Sequence, residues 1–221
     1  QHYVMTWLNV RYVHGRLQKK EYTKRGNKMD RFEGRISASS FSTGERIVIG
    51  DWSKSPLGKF VNIMWARPNG RRILISPSVK CAEYVSKIYS FEEVIIQPID
   101  IKRNTNKIEI NTLDLKLIFE WKRFFPFPIN RPRWFISTIE NFIGNLVFGS
   151  KTYGKTRDGR KEWYMIKGIS FLSKAYGENK GESFGTIEYH KIPTLFGFSE
   201  PPKRPSSVKV VSLIEKTRLD V

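Results

Sequence analysis

Short runs of β-type residues, separated by turn residues, constrain the fold of this chain more than any other feature. From Arg31 onward these runs recur at close intervals, with Gly, Pro, Ser and Asn between them. The first are RFEGRISA, ERIVIGDW, KFVNIMWAR, RRILIS and EVIIQPIDI. The pattern returns in LDLKLIFEW, KEWYMIKGISFL, FGTIEYHKI and SVKVVSLIEKT. This spacing predicts a mainly β fold, either an antiparallel barrel or a two-sheet sandwich.

Two segments interrupt the β pattern with apolar residues at helical spacing. Residues 78–90 begin with Ser78, a residue type that caps helix N-termini, and place apolar side chains at intervals of three and four. Residues 134–148 have the same spacing and stop before Gly149, a residue type common just beyond helix C-termini. We therefore predict two helices, at about 78–90 and 134–148, that cover the sheet.

The chain is long enough, at 221 residues, to bury one sizeable hydrophobic core. Its first 28 residues precede Met29 and concentrate basic side chains in the run RLQKKEYTKRGNK. Charged runs close to a terminus are typical of tails. The sequence therefore predicts a basic N-terminal extension over residues 1–28 and a single β-rich domain over residues 29–221.

The chain is strongly basic, with 39 Lys and Arg against 21 Asp and Glu and a formal net charge of +18. Such a charge attracts nucleic acid, anionic lipid or an acidic partner, and it also keeps a protein in solution. One hypothesis is therefore that the extension contacts the phosphates of RNA or single-stranded DNA while exposed aromatic side chains stack on bases. The candidate contacts are Arg16, Lys19, Lys20, Lys24, Arg25 and Lys28.

Cysteine and histidine residues are few and are not spaced for metal binding. Cys81 is the only cysteine, which excludes an intrachain disulfide and a Cys-based zinc site. The three histidines, at positions 2, 14 and 190, have neither HxH nor HExxH spacing. We predict no metal and no cofactor. Because the sequence has neither an apolar run of about 18 residues nor an apolar signal core, it also predicts a soluble, cytoplasmic protein with no transmembrane segment.

The segment WARPNGRRILISP, residues 65–77, has the pattern of a β-hairpin. If Asn69 and Gly70 are the central residues of a two-residue type I′ turn, Arg67 and Arg72 lie directly opposite each other. Opposed like charges are unfavourable by up to about 1 kcal/mol, unless solvent, a carboxylate or a bound anion relieves them. Both faces of the hairpin are apolar away from the turn, which predicts a helix over one face and a barrel or sandwich interior against the other.

Several landmarks of residues 29 to about 218 resemble a family of small uncharacterised prokaryotic proteins. They are RFEGRI, GDWSKSPLGKFVNIMWARPNGRRILISPS, YSFEEVIIQPI and GFSEPPKRPSSVKVVS. The resemblance implies a shared domain and supplies no activity. The first 28 residues and the strong basicity depart from the family pattern, so a nucleic-acid role inferred from charge would belong to this chain and not to its relatives.

The two-faced apolar hairpin and its paired arginines favour a non-enzymatic protein that binds a small amphipathic or anionic ligand in a β-barrel cavity. In this hypothesis Trp52 and Trp65 line the cavity, while Arg67 and Arg72 hold the ligand's head group at its rim. His190 is a further candidate contact. Ligand pockets rarely fall below about 300 Å³, and such a volume admits a fatty acid or an isoprenoid.

An enzyme of unknown reaction in the same cavity is a further alternative. His190 or Asp51 would act as its base, since an unperturbed histidine titrates near neutrality. The sequence has no GxSxG, Walker A or GxGxxG motif, and no residue spacing gives His190 a catalytic partner. We therefore predict no catalytic residues. Tryptophans also commonly fill a β-core, which leaves a purely structural interpretation of Trp52 and Trp65 open.

Overall fold

The computed structural model describes residues 29–123, 125–126 and 152–216. Within these ranges the chain forms 14 strands and one helix, α1 (Val79–Ile88). The first strands are β1 (Met29–Phe41), β2 (Arg46–Lys54), β3 (Phe60–Ala66), β4 (Arg72–Ser76), β5 (Glu93–Ile96), β6 (Asp100–Asn104), β7 (Lys107–Asn111) and β8 (Leu115–Trp121). The others are β9 (Phe125–Pro126), β10 (Tyr153–Lys155), β11 (Lys161–Asn179), β12 (Glu182–Ser183), β13 (Ile187–Glu188) and β14 (Ser206–Glu215). The prediction of a mainly β chain is confirmed.

One sheet, curled into a half-barrel, contains these strands. Its main order is β5-β4-β3-β2-β1-β14-β11-β8-β7-β6. Neighbouring strands are antiparallel except β4 and β5, which run parallel. The predicted antiparallel pairing does not hold for this pair. Helix α1 connects the two strands, and a crossover of this kind returns the chain to the same end of the sheet.

Strand β11 joins the two halves of the curled sheet. Its first part pairs with β14 and its last part pairs with β8. The register shifts twice along it, between Ile166 and Gly168 and between Leu172 and Lys174. Because an extra residue in one strand bends that strand, these shifts turn the sheet back on itself. Strands β7 and β8 therefore pack against β2, β3 and β4.

The concave face of the sheet holds the largest cluster of buried apolar side chains. Phe41 from β1, Ile63 from β3 and Phe119 from β8 meet there, each at most 2% exposed. Trp65 belongs to the same cluster, and its indole N–H donates to the buried Glu45 carboxylate at 2.5 Å. This cluster fills the interior of the half-barrel with side chains.

Helix α1 covers part of the convex face. Its buried residues Cys81, Ala82, Val85 and Ile88 repeat at the predicted spacing, and the Ser78 hydroxyl caps its N-terminus. The helix predicted at 78–90 is therefore confirmed. The second predicted helix, at 134–148, lies outside the described residues.

The hairpin between β3 and β4 forms where predicted, but the predicted pairing of its residues differs from the observed register by one residue. Ala66 pairs with Arg72, and the Arg67 N–H donates to the Arg71 carbonyl at 2.8 Å. A type I′ turn needs positive φ at both central residues, whereas Gly70 alone has it here, at 84°. The loop is therefore the three-residue kind, with glycine in the left-handed position.

The shifted register separates the two arginines that were predicted to oppose each other. Arg67 lies 4.9 Å from the centroid of the Trp65 ring and 3.7 Å from a Glu45 oxygen. On the other face, Arg72 pairs with Glu92 and lowers the pKa of that carboxyl to about 2. The like-charge conflict does not arise, because each arginine has its own carboxylate.

The strand predicted for FGTIEYHKI is largely wrong. Only Ile187 and Glu188 of this segment pair, with the end of β1. Gly185, at a φ of 81°, turns the chain just before them. Tyr189 and Ile192 are each 58% exposed, so the alternating pattern buries no continuous apolar face. Periodicity predicted a strand there although few of these side chains are buried. The reason is that periodicity carries no information about which side chains find a surface to pack on.

Candidate functional site

A cavity of about 130 Å³ lies between the convex face of the sheet and helix α1. Alternate residues of five adjacent strands, β3, β2, β1, β14 and β11, form its floor. Helix α1 and the loop from Thr194 to Pro202 form its other walls. Its position differs from that of the predicted barrel cavity, because the barrel interior is already filled by the concave-face core.

The cavity walls are mainly apolar and rich in aromatic rings. Phe32 and Trp52 meet edge to face, with ring centroids 5.5 Å apart, and Phe32 lies 5.2 Å from the Tyr84 ring. Gly50 leaves room beside them: a Cβ there would lie 2.7 Å from the Trp52 ring nitrogen and 2.6 Å from Asn62 Oδ1. Those two atoms form a hydrogen bond of 3.2 Å, which fixes the indole in the wall.

The aromatic rings that line the cavity come from β1, β2, β3, α1, β11 and the loop. They belong to Phe32, Trp52, Phe60, Tyr84, Tyr89, Tyr164 and Phe196. Among the described lining residues there is no Lys, Arg or His, and the charged ones are Glu162 and Glu200. The described walls are thus apolar and acidic in a chain that is basic overall.

The most unusual polar group in the walls is the carboxyl of Glu162, which is 1% exposed. The Ser212 hydroxyl donates to it at 2.7 Å, and the Tyr89 hydroxyl lies 3.4 and 3.5 Å from its two oxygens. Tyr89 and Tyr164 are hydrogen-bonded through their hydroxyls. We call Glu162, Tyr89, Tyr164 and Ser212 the Glu162 cluster.

Strand and helix geometry bring the Glu162 cluster together. Glu162 and Tyr164 are two residues apart on β11, so both side chains point to the convex face. Ser212 of β14 pairs directly with Tyr164. Tyr89 is the C-terminal cap residue of α1. Three elements from distant parts of the sequence thus meet around one carboxyl.

Burial raises the pKa of Glu162 to about 7. The hydroxyls of Ser212, Tyr164 and Tyr89 act in the opposite direction, because their hydrogen bonds stabilise the ionised form, and so does the charge of Arg160. Burial and the neighbouring carboxylate raise the pKa values of Tyr89 and Tyr164 well above their usual range. Near neutral pH the tyrosines remain protonated and Glu162 is the group that titrates.

A second polar network includes Tyr84, one of the residues that line the cavity. The Tyr84 hydroxyl donates to Asp30 at 2.9 Å. Arg160 pairs with Asp158 at 2.8 Å, lies 3.9 Å from Asp30, and has its guanidinium 5.2 Å from the centroid of the Tyr84 ring. The positive charge of Arg160 is therefore engaged by two carboxylates outside the lining.

The wall formed by the loop from Thr194 to Pro202 is held by Glu200. Its carboxylate accepts hydrogen bonds from the Thr194 N–H and hydroxyl, both at 2.7 Å, and from the Leu195 N–H at 2.8 Å. Leu195 has a φ of 56°, the left-handed region that a leucine rarely adopts. The carboxylate contacts thus hold this wall in a conformation that the backbone alone disfavours.

The structure separates the residues that the sequence grouped in one binding site. Trp52 lines the cavity. Trp65 lies on the opposite face of the sheet, in the half-barrel core. Arg67 and Arg72 are at the hairpin end, paired with Glu45 and Glu92, and neither lines the cavity.

His190 also lies outside the cavity lining. Its Nδ1 is 2.6 Å from the Ser40 hydroxyl, and its Nε2 is buried without a hydrogen-bond partner in the described structure. Burial, together with the nearby charge of Arg46, lowers the pKa of the imidazole to about 4. The other candidate base, Asp51, faces the concave side, where Arg103 binds both of its oxygens at 2.9 and 2.7 Å.

The nucleic-acid candidates of the N-terminal extension lie outside the described residues, so that hypothesis stays a prediction. These are Arg16, Lys19, Lys20, Lys24, Arg25 and Lys28. In the described ranges, no helix is long and apolar enough to cross a membrane. No cluster of three or more His, Cys, Asp or Glu side chains that could hold a metal ion occurs in the part of the chain that the structure describes.

Sequence reasoning missed the Glu162 cluster. A signal was present: in KEWYMIKG, the residues two apart are Glu162, Tyr164 and Ile166, so a carboxyl lies on an apolar face of a predicted strand. Only the pairing of β11 with β14, under α1, shows that this end of the strand is buried.

Comparison with known proteins gives a distant structural likeness. No protein-family model and no curated protein sequence matches the chain. Among solved structures, it is similar to the crystal structure of acetoacetate decarboxylase from Legionella pneumophila subsp. pneumophila. The identity is 11% and the TM-score 0.40, over 89% of this chain and 90% of that one. A likeness at this level assigns neither fold nor function.

Proposed function

We propose that this chain is a binding protein for a small, largely apolar organic molecule, which occupies the cavity between α1 and the sheet. The observation that carries the proposal is a mainly apolar cavity whose walls converge on one buried carboxyl, Glu162. A concave apolar site with a few convergent polar groups and a perturbed pKa is the usual form of a small-molecule site.

The size of the cavity limits the ligand. At about 130 Å³ it is close to the engineered protein cavity of about 150 Å³ that binds benzene. It is well below the ~300 Å³ at which pockets for larger ligands begin. The fatty acid or isoprenoid of the sequence hypothesis is therefore replaced by a compact molecule about the size of a single ring.

The charge of the cavity also changes the ligand class. An anionic head group needs cationic or hydrogen-bond-donating partners. The described lining residues supply no Lys, Arg or His, and Arg67 and Arg72 are paired elsewhere. A neutral or positively charged ligand fits this lining better than an anion.

Binding is preferred to catalysis because the described lining presents no pair of groups arranged for a reaction. Glu162 is the one candidate acid or base in the described lining with a pKa near neutrality. Its hydroxyl neighbours are hydrogen-bonded within the Glu162 cluster. No hydroxyl of the cluster is left to polarise a substrate.

Benzene tests occupancy of the cavity directly. Ligands that bind only the folded state raise the unfolding temperature, so we expect saturating benzene to raise it in the wild-type protein. Val210 is 3% exposed and lines the cavity, so Val210→Phe should fill the space and abolish the shift. Ile118→Phe places the same ring on β8, away from the cavity, and should respond like wild type.

Differential scanning fluorimetry gives the comparison. An absent shift in wild type, or equal shifts in all three proteins, would contradict the proposal. The first result would mean that the cavity does not take an apolar ligand, and the second that benzene acts elsewhere on the protein.

A further inference from the structure

We infer that the cavity selects a small organic cation, an amine or quaternary ammonium group, and places its positive charge beside Glu162. The inference rests on the proposed function and adds the class of the ligand. It depends on three features of the described walls. These are their acidic side chains, the lack of a cationic partner for Glu162 among the described residues, and their aromatic rings.

The charged side chains in the described walls are acidic, although the chain as a whole is basic. The formal net charge is +18, yet the charged side chains among the described lining residues are Glu162 and Glu200. Glu200 is engaged by three hydrogen bonds from the loop it holds. Glu162 accepts its hydrogen bonds from hydroxyls and holds no loop, so we assign the ligand's charge to this carboxyl.

A buried carboxylate usually pairs with a cation. None of the described residues forms an ion pair with Glu162, and the nearby Arg160 is bound by Asp158 and faces Asp30. Hydrogen bonds from Ser212, Tyr164 and Tyr89 all stabilise its ionised form. Buried charges are normally paired, so a buried carboxyl that accepts hydrogen bonds from hydroxyls but has no cationic partner among the described residues fits a cation that arrives with the ligand.

The aromatic walls suit the same ligand. Seven aromatic side chains of the described residues line the cavity. A cation near the face of an aromatic ring is attracted by the ring quadrupole, and quaternary ammonium groups are typically held in aromatic cages. The methyl groups of such a ligand bury apolar surface at the same time, which an inorganic cation cannot do.

The charge state of Glu162 makes the inference sensitive to pH. Facing it are Ser212 from β14, Tyr89 from α1, Tyr164 from its own strand, and the charge of Arg160. The tyrosine pKa values are raised, so these groups keep one charge state from pH 5 to 8. Because Glu162 has a pKa of about 7, cation binding should release its proton below that pH.

Tetramethylammonium and tert-butanol form a matched pair of probes. Both are compact molecules with a fully substituted centre, but only the first is charged, and its charge does not depend on pH. From pH 8 to pH 5 we expect the affinity for tetramethylammonium to fall on the order of a hundredfold, as linkage to one carboxyl with a pKa near 7 requires. The affinity for tert-butanol should change by less than about twofold. Isothermal titration calorimetry or NMR titration measures both.

A variant pair isolates the carboxylate. Glu162→Gln should weaken tetramethylammonium at pH 8 by at least about tenfold, remove its pH dependence and leave tert-butanol nearly unchanged. Glu109→Gln removes a carboxylate from β7, outside the cavity, and should match wild type. The wild-type pH series needs no substitution, so it decides the inference even if Glu162→Gln does not fold.

The outcomes separate this inference from the proposed function. Suppose that benzene or tert-butanol binds, and that tetramethylammonium either does not bind or binds with no dependence on pH or on Glu162. The ligand is then neutral, and the cation inference is overturned while the proposed function stands. If no probe binds, including benzene, both fail. Tetramethylammonium binding that strengthens with pH only when Glu162 is present supports both.

Discussion

Replacing Glu162 with Gln is expected to stabilise the protein by up to about 3 kcal/mol at pH 8 and to have little effect at pH 4. The pKa of Glu162 is raised from 4.5 to about 7 in the folded state, and about 1.4 kcal/mol corresponds to each pKa unit. A carboxyl whose folded pKa is raised binds its proton more tightly in the folded state. Its stabilising effect is complete below pH 4.5 and is lost as the pH rises to about 7.

The glutamine amide has nearly the same shape as the protonated carboxyl and never ionises. Chemical denaturation of both proteins from pH 4 to pH 8 measures the difference in the free energy of unfolding. A difference that stays constant over this range would mean that Glu162 titrates normally and that burial does not control it. Glu109→Gln provides the control at a half-buried carboxylate on β7 and should show no comparable rise.

Replacing His190 with Asn should change the free energy of unfolding by a similar amount. The gain relative to wild type should grow as the pH falls, whereas for Glu162→Gln it grows as the pH rises. The pKa of His190 is lowered from 6.5 to about 4, because burial and the charge of Arg46 disfavour the imidazolium. The unfolded state therefore binds more protons between these two pH values. Protonation of His190 should therefore cost the wild-type protein up to about 3 kcal/mol of unfolding free energy as the pH falls from 6.5 to 4, and this contribution should be absent from the variant.

Asparagine can keep the hydrogen bond that His190 Nδ1 forms with the Ser40 hydroxyl, which is 2.6 Å long. Loss of the ring also costs packing, so the measured quantity is the change in the difference between the proteins from pH 7.5 to pH 4. Parallel stability curves for the two proteins would show that His190 is protonated as easily in the folded state as in the unfolded state.

The two effects oppose each other over nearly the same range of pH. Glu162 destabilises the folded state as the pH rises from 4.5 to about 7, while His190 stabilises it from about 4 to 6.5. In wild type the contributions of these two groups should largely cancel between pH 4.5 and 6.5. The pH dependence that one group causes becomes visible when the other group is replaced. The stability curves of the two single variants are therefore more informative than the wild-type curve.

Most regular elements could be predicted from sequence because they are specified locally. Alternating apolar residues identified most of the long strands, and the spacing of Cys81, Val85 and Ile88 identified α1. The hairpin was found from Asn69 and Gly70, but the turn type was not, since the same dipeptide suits loops of two or three residues. One residue of register decided that Arg67 and Arg72 lie on opposite faces.

Of the residues that line the candidate site, only Trp52 was predicted from the sequence. Glu162, Tyr89 and Ser212 are 50 or more residues apart along the chain in every pairing, and no local pattern relates them. Their meeting depends on the order of strands in the sheet and on where α1 packs. Sequence-based reasoning placed the cavity inside the barrel because an empty interior and a filled one have the same alternating pattern.

By itself, the sequence determined that this chain is mainly β, that one amphipathic helix follows the β3–β4 hairpin, and that the chain carries a net charge of +18. The tertiary structure alone decided which face of the sheet holds the cavity and which charges reach it. The physical reason is that local periodicity fixes the two faces of each strand, whereas burial, and with it the pKa of Glu162, depends on what other elements cover each face.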